Sequence, residues 1–100
     1  MDLTKNQFEQ NVNTRFWLRY SEAGRSAVEL VEVKNGPSPP QYEAFSLFFR
    51  GSLEQLHPQR IYAMEHDALG MFDLFLVPVA RESNGFLYEA VFNRRRNGQD

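Results

Sequence analysis

The chain has 100 residues, of which 42% are hydrophobic and 14% aromatic, and its formal net charge is −2. This length is typical of one domain built around one hydrophobic core. The absence of cysteine excludes disulfides and thiolate zinc sites and favours a cytoplasmic protein. The slightly acidic charge argues against general binding to the phosphate backbone, so nucleic acid is not an expected partner.

The first element in chain order is a short helix that begins after Thr4. Thr4 and Gln7 form a capping-box pattern, and Leu3 and Phe8 occupy the positions of a hydrophobic staple. The helix is expected to end around residues 11–13. No secretory signal pattern opens the chain, and no apolar run approaches the roughly 20 residues of a membrane helix, so we expect no membrane association.

The hydrophobic period changes to two from Thr14 onward. Six segments are predicted as strands, at residues 14–20, 25–34, 43–50, 60–67, 71–80 and 86–93. Every link between consecutive strands is too short for a crossover helix, so each pair should be antiparallel. The predicted fold is mainly β: a six-stranded antiparallel small barrel or rolled meander with a short N-terminal α-helix.

Three local features complete the predicted fold. Ser52 and Gln55 repeat the capping-box pattern before Pro58, which predicts one helical turn that plugs an end of the core. Pro78 cannot donate to a ladder, so the fifth strand should have a bulge there or lie at an edge. Residues 1–93 are expected to form a single β-rich domain, and residues 94–100 a disordered polar tail.

The segments 45–49 and 71–79 are apolar on both faces. One face of each must line the barrel interior, and the other needs a cover because large exposed apolar patches are uncommon on soluble monomers. Two alternatives stay open. In one, the helix, the plug and the loop that contains Tyr42 cover the second face. In the other, part of this surface, including Phe75 and Val77, contacts another protein chain, most simply a second copy.

Several blocks of the sequence resemble a family of small bacterial domains of unknown function. They are FSLFFRG at 45–51, Tyr62 with EH and LG at 65–70, FDLFLVPV at 72–79 and YEAVFN at 88–93. Asn13 stands where the family pattern favours Gly, and Asp67 where it favours Pro. The resemblance implies a shared fold and supplies no catalytic residues. Its members are encoded alone or near genes for phage-tail-like proteins, which implies an assembly or accessory role.

Trp17, flanked by Arg15 and Arg19 on one strand face, is a candidate binding surface. An aromatic ring between two guanidiniums suits base stacking or docking of a partner segment. The alternative is that Trp17 covers the outside of the barrel together with the alkyl stems of its neighbours. Arg50 is expected to form a structural ion pair with Glu89 or Glu65.

His66 is the best single candidate for chemistry, because an imidazole between Glu65 and Asp67 can titrate near neutral pH. The preferred interpretation is nevertheless a structural histidine at a strand end. The carboxylates of Glu65, Asp73 and Glu89 lie on three different strands and form no recognisable acid–base pair. We therefore assign no catalytic, cofactor-binding or metal residues.

The function predicted from these features is a non-enzymatic protein-interaction or assembly domain. Its expected partner is a protein, with a homo-oligomer as the simplest case. The alternative is a small-ligand or nucleic-acid-binding β-barrel that uses Arg15, Trp17 and Arg19.

Overall fold

The computed structural model describes residues 3–95, which form one helix and six strands. The elements are α1 Lys5–Glu9, β1 Arg15–Arg19, β2 Arg25–Asn35, β3 Tyr42–Gly51, β4 Arg60–His66, β5 Gly70–Glu82 and β6 Gly85–Arg95. The six predicted strands and the N-terminal helix are therefore confirmed.

The strands form a closed antiparallel ring in the order β1-β2-β3-β6-β5-β4, in which β4 pairs back onto β1. Two three-stranded meanders, β1–β3 and β4–β6, are joined by the connection 52–59, which crosses one end of the ring. Inward-facing side chains of all six strands fill the interior, among them Phe16, Leu30, Phe49, Met64, Leu76 and Tyr88. The predicted mainly-β, six-stranded antiparallel architecture is confirmed.

Two bulges set which side chains face inward. The β5–β6 ladder shifts between Pro78 and Ala80, so the bulge expected at this proline is present. A second shift lies in β2 between Leu30 and Glu32, and the sequence did not predict it. Because a bulge adds one residue to one strand, the carboxylate of Glu32 turns to solvent while Val33 packs against the core.

The helix α1 closes one end of the barrel. The capping box is formed: Thr4 Oγ1 accepts from the Gln7 amide at 3.1 Å, and the Thr4 amide donates to Gln7 Oε1 at 2.8 Å. Phe8 is only 1% exposed and packs against three core rings, those of Phe45, Phe72 and Phe92. The helix therefore fills the barrel mouth, and the expectation that it covers the outer face of the sheet is wrong.

The opposite end is closed by a turn instead of the predicted helical turn. Ser52 Oγ accepts from the amide of Glu54, two residues on, and no helical residues follow. A serine hydroxyl that forms a hydrogen bond with a nearby backbone amide competes with helix formation. The leucines of this segment, Leu53 and Leu56, are exposed, and the buried side chain is that of His57.

The last strand is longer than predicted. It continues through Arg94 and Arg95, two residues that were assigned to the polar tail. Arg94 is held in place because it donates to the carbonyl of Leu3 at 2.8 Å and to the carboxylate of Glu43 at 3.3 Å. The remainder of the predicted tail, residues 96–100, lies outside the described residues.

Candidate functional site

The outer surface of three adjacent strands carries exposed large apolar side chains. They are Ile61 on β4, Met71, Phe75 and Val79 on β5, and Val91 on β6, and together we name them the outer apolar face. Met71 and Val91 are each 69% exposed, and Phe75 is 49% exposed. No element formed by residues 3–95 covers this face.

The strand register explains why the face is apolar on the outside. In β5, Leu74 and Leu76 point into the barrel, so Phe75 between them must point out. Phe75 lies directly opposite Ile61 of β4, and Val77 lies opposite Glu89 of β6. Phe75 is thus exposed, as is required if this surface contacts another protein chain, whereas Val77 is half-buried beside Glu89.

Trp17 lies in a separate cluster on the outside of β1. The guanidinium of Arg25 is 4.1 Å from the centre of its ring and that of Arg15 is 5.4 Å away. Glu65 accepts from both Arg19 and Arg25, at 2.9 Å for Arg25, and the hydrogen bond from Arg19 is the main reason that the pKa of Glu65 is lowered. One ring face is therefore already occupied by a neutralised arginine.

The predicted surface residues consequently fall into two groups. Arg15, Trp17 and Arg19 lie on β1, and Phe75 and Val77 lie on β5. Strand β4 separates the two strands in the ring. The sequence analysis missed most of the outer apolar face, because Ile61 comes opposite Phe75 only through the β4–β5 register, and Val91 lies on β6 beyond the last paired residues of the β5–β6 ladder.

A cleft of about 150 Å³ opens beside the outer apolar face, where the β5–β6 ladder stops after Val77 and Glu89. It is lined by Leu3, Phe8, Phe72, Asp73, Leu74, Phe92 and Arg94. We name it the Asp73 cleft. Three of its seven lining residues are phenylalanines, the guanidinium of Arg94 lies 5.4 Å from the centre of the Phe92 ring, and among residues 3–95 the carboxylate of Asp73 has no ion-pair partner. The sequence showed only an acidic interruption of an apolar strand at this position.

A second, larger cleft of about 520 Å³ lies on the outside of β1, β2 and β3. The register places Arg15 opposite Glu29, and Glu29 opposite Arg50, so charges of alternating sign cross this part of the sheet. Such a row is typical of a solvated sheet surface. Asn13 at its rim has φ 70°, the left-handed conformation that explains why glycine suits this position.

The ion pair expected between Arg50 and Glu89 is not formed, and neither is the alternative with Glu65. Arg50 pairs with Glu82 at 3.2 Å, and Glu89 accepts from the hydroxyl of Ser46 at 2.6 Å. The cause is Gly85. Because glycine has no side chain, the stem of Arg50 can lie across the backbone of Gly85, and the Arg50 guanidinium then reaches the β5–β6 hairpin.

Both histidines are buried and hydrogen-bonded. His66 Nδ1 accepts from the amides of Ala68 and Leu69, at 3.0 and 3.2 Å, and burial lowers the pKa of His66. These bonds fit the structural interpretation of His66. His57, which the sequence analysis passed over, has its Nε2 atom 3.0 Å from Ser26 Oγ. Burial, with a smaller contribution from the charge of Arg60, lowers its pKa.

The His57 end of the barrel is a polar cap on an aromatic core. The His57 ring stacks on Tyr20 at 5.3 Å, and its amide donates to the Tyr88 hydroxyl at 3.0 Å. Among residues 3–95, no group of three histidine or acidic side chains is placed to hold a metal ion. The same part of the chain contains no helix with the length and hydropathy to cross a membrane.

A model of one protein family matches residues 3–92, and its description reads Domain of unknown function (DUF6916). The chain belongs to this family. The match includes the helix, the first five strands and most of β6, so the predicted membership in a family of small domains of unknown function is confirmed. No curated protein and no solved structure matches the chain.

Proposed function

We propose that this domain is a protein-interaction domain without catalytic activity, and that it contacts another protein chain through the outer apolar face. One observation carries the proposal: five large apolar side chains are exposed on three neighbouring strands. At these exposures they present on the order of 500 Å² of apolar surface, near the upper end of the largest patches on typical monomers.

The size of the face suits a single ordinary interface. Specific interfaces bury about 800 Å² on each partner, and their centres are more apolar than their rims. The outer apolar face supplies such a centre, and polar side chains next to it, such as Glu89, supply a rim. The rigid scaffold of paired strands helps, because little conformational entropy is lost when the partner binds.

An accessory or assembly role within a bacterial cell agrees with this proposal. The resemblance to small bacterial domains encoded near genes for phage-tail-like proteins favours it. The absence of cysteine fits the reducing cytoplasm, where we expect the domain to act. A base-stacking site at Trp17 has less support, because Arg25 lies over its ring and Glu65 neutralises two of the nearby arginines.

The test compares affinity capture, after chemical crosslinking, by the tagged wild-type chain and by the double variant Phe75→Asp/Val91→Asp. We expect at least one protein to be captured by the wild type and lost with the double variant. The matched control is Leu56→Asp, which changes an exposed leucine on the connection between β3 and β4, outside the three strands of the face. Thermal unfolding must show that both variants are folded. Identical captured sets for the wild type and the double variant would refute the proposal.

A further inference from the structure

We infer that the partner presents a lysine or arginine within an apolar segment, and that the charged head of this side chain pairs with Asp73 at the rim of the Asp73 cleft. The inference rests on the proposed function and specifies the chemistry of the partner. The cleft adjoins the outer apolar face, because Asp73 lies between Met71 and Phe75 on β5. A segment that covers the face must therefore also cover the cleft.

The walls of the cleft suit the stem of a basic side chain. Phe8 lies 5.9 Å from Phe72 and 5.7 Å from Phe92, measured between ring centres, so three aromatic rings form one apolar wall. Lysine and arginine bury their methylene stems against such surfaces while the charged head remains near polar groups.

The carboxylate of Asp73, which is exposed on the outer side of β5, is free to receive a cation. Arg94 lies in the same cleft, but its guanidinium is bound by Glu43 and by the carbonyl of Leu3. Asp73 has no ion pair among residues 3–95. A purely apolar partner would remove water from this carboxylate without replacing the lost hydrogen bonds, which costs several kcal/mol. A basic side chain opposite Asp73 removes most of that cost.

The charges also argue against a second copy as the occupant. On β4, β5 and β6, arginines pair with Glu65 and Glu82, whereas Asp73 and Glu89 have no ion-pair partner among residues 3–95. Two copies placed face to face would oppose carboxylates to carboxylates. Self-complementary interfaces need both signs of charge on the same patch.

The experiment uses three dye-labelled synthetic peptides of equal length, which are amphipathic sequences of Leu and Lys, of Leu and Glu, and of Ser and Lys. Binding to the full chain is measured by fluorescence anisotropy. We expect saturable binding of the Leu/Lys peptide, with the other two at least about ten-fold weaker, the size expected when one buried charge is unmatched. Asp73→Asn should weaken Leu/Lys binding about five-fold or more. The matched control Glu32→Gln removes an exposed carboxylate from β2 and should leave it unchanged.

Other outcomes overturn the inference in distinguishable ways. Equal binding of the Leu/Lys and Leu/Glu peptides, both lost in Phe75→Asp/Val91→Asp, would refute the basic side chain and leave the proposed function standing. Equal binding of the Leu/Lys and Ser/Lys peptides would show charge attraction alone. A dimer in light scattering that Phe75→Asp/Val91→Asp dissociates would make a second copy the occupant. Binding of none of the peptides would refute the inference, and the capture experiment would then decide the proposed function separately.

Discussion

Oγ1 of Thr14 lies 2.9 Å from Nε2 of His66. Nδ1 of the same ring accepts from the amides of Ala68 and Leu69, so the ring proton must sit on Nε2 and is donated to Thr14. The Thr14 hydroxyl in turn donates to the carbonyl of Asn11 at 2.7 Å. A neutral imidazole thus links the end of β4 to the segment that follows α1.

This arrangement predicts that the free energy of unfolding falls when the pH is lowered. Burial lowers the pKa of both His66 and His57 from the ordinary value of 6.5, so below this pH the unfolded chain binds more protons than the folded chain. The free energy of unfolding should therefore be highest above about pH 6.5. It should decrease as the pH falls from 6.5 toward the lowered pKa values of the two histidines. Urea unfolding between pH 7.5 and 5.5 measures the effect.

The control for this prediction is the double variant His57→Gln/His66→Asn, which carries no group that titrates in this window at these positions. The Asn amide oxygen can accept from the following backbone amides, as His66 Nδ1 does. We expect the variant to be less stable at pH 7.5 but nearly independent of pH down to 5.5. An unchanged pH dependence in the variant would contradict the assignment to these two rings.

Phe8→Ala should lower the free energy of unfolding by about 3–5 kcal/mol, because it removes a ring that is 1% exposed and opens a cavity at the barrel mouth. Leu56→Ala removes a 52% exposed side chain and should change stability by less than about 0.5 kcal/mol. Urea unfolding followed by far-UV circular dichroism compares them. Similar losses for both variants would mean that α1 is not part of the core.

Gly85→Ala should destabilise the fold by about 2 kcal/mol or more. Gly85 has φ 155°, and a Cβ there would lie 2.5 Å from the carbonyl oxygen of Gly51 and 2.6 Å from Cγ of Arg50. Gly70→Ala is the matched control: its φ is 81°, but no atom lies within 4 Å of the added carbon. Gly70→Ala should destabilise the fold by only about 1–2 kcal/mol, the cost of a left-handed backbone conformation for a residue with a side chain. Gly85→Ala should therefore have the lower thermal midpoint of the two variants.

Glu65→Gln should make Trp17 more accessible to acrylamide. The carboxylate holds Arg25 at 2.9 Å, and the Arg25 guanidinium covers the indole at 4.1 Å. Without that charge the arginine is released and the ring is uncovered. The quenching constant of the tryptophan fluorescence is the measurement. Glu32→Gln, which removes an exposed carboxylate from the part of β2 that is not paired with β1, should leave the constant unchanged.

Local patterns predicted the strands well, because the alternation of apolar residues can be seen within each strand segment without knowledge of its neighbours. The Pro78 bulge was predictable for the same reason, since proline itself cannot join the ladder. The extra residue at Val31 in β2 was not, because every residue there can make ladder hydrogen bonds. It became visible only where the pairing with β3 shifts.

The position of α1 was harder to predict than its existence. The capping box of Thr4 and Gln7 is local, but the destination of Phe8 depends on where β5 and β6 separate. The candidate site shows the same division. Phe75 was identified from its own strand, whereas Ile61 comes opposite it only through the β4–β5 register. Val91 and the Asp73 cleft lie where the β5–β6 ladder has stopped.

The contact between the Arg94 guanidinium and the Leu3 carbonyl brings the first and last parts of the described chain within 2.8 Å of each other. A short flexible linker could join them without distorting the barrel, and a new opening could be cut at the hairpin that contains Asn84. Domains with neighbouring ends also tolerate being spliced into a surface loop of a host protein. The fold can therefore be carried as an insert with β4, β5 and β6 still facing outward.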